Sequence, residues 1–177
     1  DEDDKTIAEK HSISPEDLRA KMAASEKILM SARDTRIRPG LDDKTLTSWN
    51  GLMLKGYVDA YLTFGEQHFI DVALENAKFI VKKQLRKDGG LNHSYKKGRS
   101  TINAYLEDYA FIIDAFLKLY EATFDVKWLK EADALMAYSI EHFYDDESGM
   151  FFFTSDEDPA LIARKMEVND NVIPASN

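Results

Sequence analysis

Two adjacent carboxylates, Glu107 and Asp108, interrupt an apolar stretch, Tyr105-Leu106-Glu107-Asp108-Tyr109-Ala110. Neighbouring helical residues point ~100° apart, so one of the pair can face a cavity while the other caps or pairs. A general acid or base in this position needs a tuned pKa. The plainer reading is a buried ion pair with Arg36 or Arg38. A second group is Asp42-Asp43-Lys44, two carboxylates and a cation just before a helix start. They could orient a substrate or move protons, or they could simply offset the positive end of the helix, worth ~0.3–1 kcal/mol. In Trp49-Asn50 the ring could stack on a ligand and the amide bind a hydroxyl, although Trp49 sits on the apolar period and reads better as core. His93 and Tyr95 lie in an extended segment, where the imidazole could shuttle a proton or be an ordinary exposed loop residue. Asp170 completes the set. Carboxylates, amides, an imidazole, cations and aromatic rings make the kind of lining that holds a polyhydroxylated ligand.

Other chemistries find no support. Zero Cys removes disulfides, thiol catalysis and cysteine zinc sites. His11, His68, His93 and His142 share no i, i+4 spacing. Asp145-Asp146-Glu147-Ser148-Gly149 superficially resembles a calcium loop, but its Gly falls at position 5 and no Glu follows at 12. Neither a phosphate-cradling Gly motif nor a Ser nucleophile elbow is present, so no metal and no cofactor are expected. The 177 residues carry 23 Lys+Arg against 32 Asp+Glu, a net charge of −9. With a pI near 4.9 and no basic stripe, nucleic acid is not the expected partner. No apolar run reaches the ~18–20 residues of a membrane helix, so no membrane partner is expected. The compartment stays open, with the cytoplasm favoured.

The elements that must position these residues are helical. A first helix opens at Ser14-Pro15-Glu16-Asp17, with Ser14 as cap and Pro15 in the first turn. It runs to about Arg33, with Leu18, Met22 and Leu29 facing inward. Residues 1–13 read as an acidic, fraying start, and 14–177 as one domain. Helices follow over about 45–64, 67–85, 103–123 and 126–144. A turn at Gly89-Gly90 precedes a short strand or hairpin, and Gly149 answers Gly89 at a spacing of 60. The pattern is two helical hairpins of about 60 residues, with a third beginning near Asn171. The helix starts then cluster at one end of the stack. The chain begins at Asp1 without Met and stops at Pro174-Ala175-Ser176-Asn177, so a piece of a longer protein is expected.

Leu41-Asp42-Asp43-Lys44-Thr45-Leu46-Thr47-Ser48-Trp49-Asn50-Gly51-Leu52, Tyr105–Ala110, Leu119-Tyr120-Glu121-Ala122-Thr123 with Trp128-Leu129, Gly149-Met150-Phe151-Phe152 and Pro174–Asn177 together carry a resemblance. Over residues 15–177 the chain resembles the family related to spermatogenesis-associated protein 20 and its bacterial YyaL-type relatives. Ala175 stands where that family usually has Gly. The resemblance implies an all-α fold: antiparallel helical hairpins forming part of an (α/α)6 toroid of the six-hairpin glycosidase and N-acylglucosamine 2-epimerase type. It also implies a thioredoxin-like domain in the parent protein that this chain lacks. Two functions follow as expectations. One is a carbohydrate-active domain, epimerase- or glycosidase-like, with Glu107, Asp108, Asp42 and Asp43 as acid/base carboxylates. Trp49, Asn50, Lys44, Arg36, Arg38, His93, Tyr95 and Asp170 would bind its sugar. The other is a non-catalytic scaffold serving the thioredoxin-like domain. Half a ring would expose helix faces that missing hairpins should cover, so self-association is also expected.

Overall fold

A computed structural model describes residues 2–158, 163–170 and 174–177. The chain divides into two compact units, Asp1–Asp42 and Asp43–Asn177. The first holds α1 (Asp4–Lys10) and α2 (Pro15–Asp34). The expected fraying start is thus largely a helix. The Asp3 carboxylate accepts from the Thr6 N–H at 2.8 Å and Lys10 sits in the last turn, so both ends suit the helix dipole. At α2, Ser14 caps as expected, accepting from the Asp17 N–H at 3.0 Å. The expected inner face of Leu18, Met22 and Leu29 is not buried within this unit: α2 has no buried residue, and Met22 and Leu29 are exposed. A seven-residue α1 is too short to cover a helix of 20.

The second unit is built from α3 (Thr47–Phe64), α4 (Gln67–Phe79) running on as a π-helical turn (Ile80–Gln84), α5 (Leu106–Thr123) and α6 (Val126–Phe143). Linkers of two residues, Gly65-Glu66 and Phe124-Asp125, fold each pair into a hairpin. Every helical run spans 18 residues, counting the 13 of α4 with the five of its π turn. Thr47 to Leu106 and Gln67 to Val126 are each 59 positions apart. The helical repeat is therefore 59, and the spacing of 60 between Gly89 and Gly149 reflects one extra residue in the second connector. At this spacing Trp49 is the counterpart of Asp108. The expected third unit near Asn171 falls outside the described residues. Residues 174–177, which read as a helix start, have no regular structure.

Strands β1 (Thr45–Leu46), β2 (Asn92–Lys96) and β3 (Arg99–Asn103) form an antiparallel sheet in that order, with Thr45 opposite Tyr95 and Asn92 opposite Asn103. β4 (Tyr144–Asp145) and β5 (Met150–Phe151) make a second small pair. The Gly turns before β2 and β5 work because Gly89 and Gly149 adopt φ of 93° and 71°, which a side chain would strain.

The core lies between α3, α4, α5 and α6, filled by residues such as Leu54, Ile80, Tyr109, Phe116 and Leu135. The apolar period that includes Trp49 is not the buried face of α3. Thr47, Ser48, Gly51, Leu54 and Val58 are buried, whereas Trp49, Met53 and Phe64 are exposed, with Trp49 at 59%. α3 is apolar on both sides, and the side with small residues is the one that lets α5 approach. A Cβ on Gly51 would sit 3.0 Å from the Phe111 backbone. Arg86 fastens the outer ends: it donates to Asp88, Asn103, the Tyr138 hydroxyl and Glu157 at 2.7–3.0 Å. No helix among the described residues is long and apolar enough to cross a membrane.

Candidate functional site

The small sheet brings two helix starts together. β1 leads directly into α3, and β3 leads through Ala104-Tyr105 into α5. β2 lies between them and carries His93. α3 begins without a side-chain cap of its own, because its N-cap residue is Leu46. Asp108 supplies the missing acceptor. Its side chain is fully buried, and Oδ1 accepts from the Ser48 N–H at 2.7 Å. Oδ2 accepts from the Tyr105 N–H at 2.9 Å and lies 2.9 Å from His93 Nδ1. One carboxylate therefore ties α3, α5 and β2 to each other.

His93 Nδ1 is best read as a donor to Asp108, since Oδ2 has lone pairs to give and a carboxylate fixes that tautomer. The hydrogen bond to Asp108 raises the imidazole pKa, opposed by partial burial and by the Lys44 cation. Glu107 is half-buried on the first turn of α5. Burial raises its pKa and the Asp108 and Glu167 charges add to this, while His93 and Ser48 pull it down. A ring nitrogen of His93 and one carboxylate oxygen each of Glu107 and Asp108 lie within 4.8 Å of one another. That is metal-ligand spacing, but Asp108 is already occupied: Oδ1 takes the Ser48 N–H, and Oδ2 takes the Tyr105 N–H and holds His93 Nδ1. Tyr105 and Phe153 flank it as a stacked pair, with centroids 5.0 Å apart and planes at 12°, and the Tyr105 ring lies 4.9 Å from that of His93.

The other expected site residues lie elsewhere. Trp49 is neither core nor beside the carboxylates' hydrogen bonds; it faces solvent. Asn50 donates to the Leu46 carbonyl at 2.8 Å and lines a separate depression of about 380 Å³ with Thr45, Val72, Glu75, Asn76 and Phe79. Tyr95 packs edge-on against Phe79 at 5.2 Å. Asp43 pairs with Lys96, which holds its carboxyl below the usual range, so it does not cap α3. Asp42, Arg36 and Arg38 belong to the first unit, where Arg38 pairs with Asp34 and the Arg36 N–H donates to the Arg33 carbonyl at 3.0 Å. Within the second unit the partners of Asp108 are Ser48, Tyr105 and His93. Asp170 accepts from the Ala175 N–H at 2.9 Å. His142, near the end of α6, is 2.8 Å from Asp156. Ser48, Tyr105 and Phe153 are the neighbours that residue types did not single out. The signal for Ser48 was indirect, a helix start with no capping side chain before it.

The fold defines a class: part of an α/α toroid of the kind built by six-hairpin glycosidases and sugar epimerases. The chain superposes on a cellobiose 2-epimerase from Bacillus thermoamylovorans with a TM-score of 0.62 at 15% identity, covering 75% of this chain and 35% of that one. A GH76 α-mannanase from Bacteroides thetaiotaomicron gives 0.60 at 22%, covering 66% and 33%. At these identities the likeness shows the fold alone. In sequence, the chain is a homologue of spermatogenesis-associated protein 20. It is 32% identical to the human protein over 159 residues, 84% of this chain and 20% of that protein. An uncharacterized Caenorhabditis elegans protein is 32% identical over 180 residues, 98% of this chain and 24% of its own length. The chain therefore spans a fifth to a quarter of these relatives. No family profile matches it.

Proposed function

We propose that the chain carries a proton-transfer site for a sugar, in which Glu107 and His93 exchange protons with the ligand and Asp108 holds His93 in place. The observation that carries this reading is the division of labour between the two carboxylates. Asp108 is buried and occupied by three N–H groups, so it orients and does not react. Glu107 is half-exposed and biased towards its protonated form, as a group that gives and takes a proton near neutrality should be. His93, anchored through Nδ1, has its other nitrogen available as the second acid or base. The stacked Tyr105 and Phe153 rings offer an apolar surface beside it.

This arrangement favours epimerisation or isomerisation over hydrolysis. Glycoside hydrolysis uses two reactive carboxyl groups separated by about 5–9.5 Å. Here one of the adjacent pair is committed to the scaffold. The sugar class rests on the structural neighbours, which include a D-mannose isomerase as well as the epimerase and mannanase.

Saturation-transfer NMR of the chain against monosaccharides, disaccharides and N-acylhexosamines tests binding. Incubation of any ligand in D2O then tests the reaction. Deuterium entering at the carbon beside the carbonyl, reduced at least about 100-fold in Glu107→Gln, is the expected result. Release of a new reducing end without deuterium uptake would replace the reading with hydrolysis. No binding to any sugar would overturn it in favour of a non-catalytic scaffold.

A further inference from the structure

The repeat of 59 residues sets each face of α3 against an equivalent face of α5. On α5, Asp108, Ile112, Ala115 and Leu119 are buried along one side at helical spacing. This is the side that α3 covers: Asp108 accepts from the Ser48 N–H, and Ile112 and the Phe111 backbone lie against Gly51. The counterparts on α3 are Trp49, Met53, Gly56 and Ala60. They make the same stripe without a charge in it, yet Trp49, Met53 and Gly56 are exposed, and a Cβ on Gly56 would meet open space. α3 thus presents to solvent the face that, on α5, seats another helix.

The far side of α5 supplies the match. Ser48, Gly51 and Val58 lie on the buried side of α3. Their counterparts are Glu107, Ala110 and Leu117, of which the first two are half-buried and Leu117 is exposed. Charge follows the same rule. Lys55 pairs with Asp114 at 2.7 Å and Lys118 with Asp59 at 3.8 Å. Each pair joins positions 59 apart, so an α5 laid on the open side of an α3 again sets Asp114 against Lys55 and Lys118 against Asp59.

We propose that copies of this chain associate head to tail, the open side of α5 in one copy seating on the Trp49, Met53, Gly56 and Ala60 stripe of the next. The contact between copies repeats the α3–α5 contact inside the chain. Each second unit holds two helical hairpins and the toroid it resembles holds six, so three copies close a ring. The contact also brings a ring to the helix-start end: Trp49 of the next copy takes, beside Glu107, the place that Asp108 takes beside Ser48.

Sedimentation of the unsubstituted chain should show a species of three times the 20.2 kDa chain mass, growing as concentration rises. Tryptophan emission should move to the blue in step, as the exposed Trp49 indole is covered while Trp128 is buried throughout. Met53→Lys spoils only the α3 stripe and Leu117→Lys only the open side of α5. Both side chains are exposed, so each variant should keep its fold, checked by circular dichroism. Each alone should sediment as a monomer. Mixed, the two should form a one-to-one complex, because the α5 side of the first and the α3 stripe of the second are intact. An unsubstituted chain that stays a monomer or stops at a dimer overturns the proposal. So does a folded Leu117→Lys chain that associates like the unsubstituted one, or a mixture that gives no complex.

Discussion

Exchanging one oxygen of Asp108 for an amide nitrogen would turn an NH2 group towards N–H donors. Asp108→Asn should therefore cost about 2–4 kcal/mol of stability, measured by urea unfolding, although the change is nearly isosteric. The His93–Asp108 pair carries a definite pH signature. Folding raises the His93 pKa through its hydrogen bond to Asp108. The stability it contributes is present below the unfolded value near 6.5 and is lost as pH rises through the folded midpoint. Unfolding free energies of the chain and of His93→Gln should differ more at pH 5.5 than at pH 9; equal differences would show that the pair does not gain its proton on folding. Glu107 is also raised, chiefly by burial, so its ionised form weakens the fold at neutral pH. Glu107→Gln should gain stability at pH 7, and that gain should fade as pH falls towards 4. The carboxylate pair and His93 were legible in the sequence because charged residues stood on an apolar pattern. Ser48 was not, because its contribution runs through a backbone N–H, which no residue type announces.

The helices were legible from their periodicity, but the buried face of α3 was not. Trp49, Met53 and Phe64 outweigh Gly51 and Ser48 in any hydrophobic count, yet the small residues face α5, where backbones come close. Gly51→Ala pits a helix-propensity gain of up to ~1 kcal/mol against a contact of 3.0 Å with the backbone of Phe111, which cannot swing aside. The contact should win, with a net loss of about 1–2 kcal/mol in thermal or urea unfolding. The second hairpin offers the opposite case. Gly65 and Phe124 end α3 and α5 at equivalent positions with φ of 72° and 53°. Glycine adopts that conformation without cost, whereas a side chain pays about 1–2 kcal/mol. The Phe124 ring is 78% exposed. Phe124→Gly should therefore stabilise the chain by about 1 kcal/mol, and a lowered melting temperature would show that the ring makes contacts worth more than the strain. The repeat itself showed through glycine spacing, but the extra residue in the second connector shifted the alignment by one. At a spacing of 60 the counterpart of Asp108 would be Ser48, whereas the helical repeat of 59 makes it Trp49.

In the second unit, two fasteners hold the ends of the hairpins: Asp108 at the starts of α3 and α5, and Arg86 where α4 gives way to the sheet. Arg86 reaches the Tyr138 hydroxyl on α6 and Glu157 beyond it, and Tyr138 itself donates to Glu157 at 2.7 Å. Replacing Arg86 by Met keeps the stem but leaves the Asn103 side-chain oxygen without its donor and Glu157 with Tyr138 alone. A loss of about 2–4 kcal/mol is expected in urea unfolding; a loss below 1 kcal/mol would show that solvent takes over these bonds. The partial toroid was legible through the resemblance of its motifs. The boundary between Asp42 and Asp43 was not, because the charged loop there looks continuous with the helix it precedes. One feature at this scale bears on how the chain is made. The N–H of Ser48 finds its acceptor 60 residues downstream. On a ribosome, α3 is complete before Asp108 has been synthesised, so until then the first hairpin can form only a frayed, provisional version of its start. The helix-start end of the second unit is then completed by the arrival of the second hairpin, and a chain cut short between them would leave the start of α3 without its acceptor even with α3 and α4 intact.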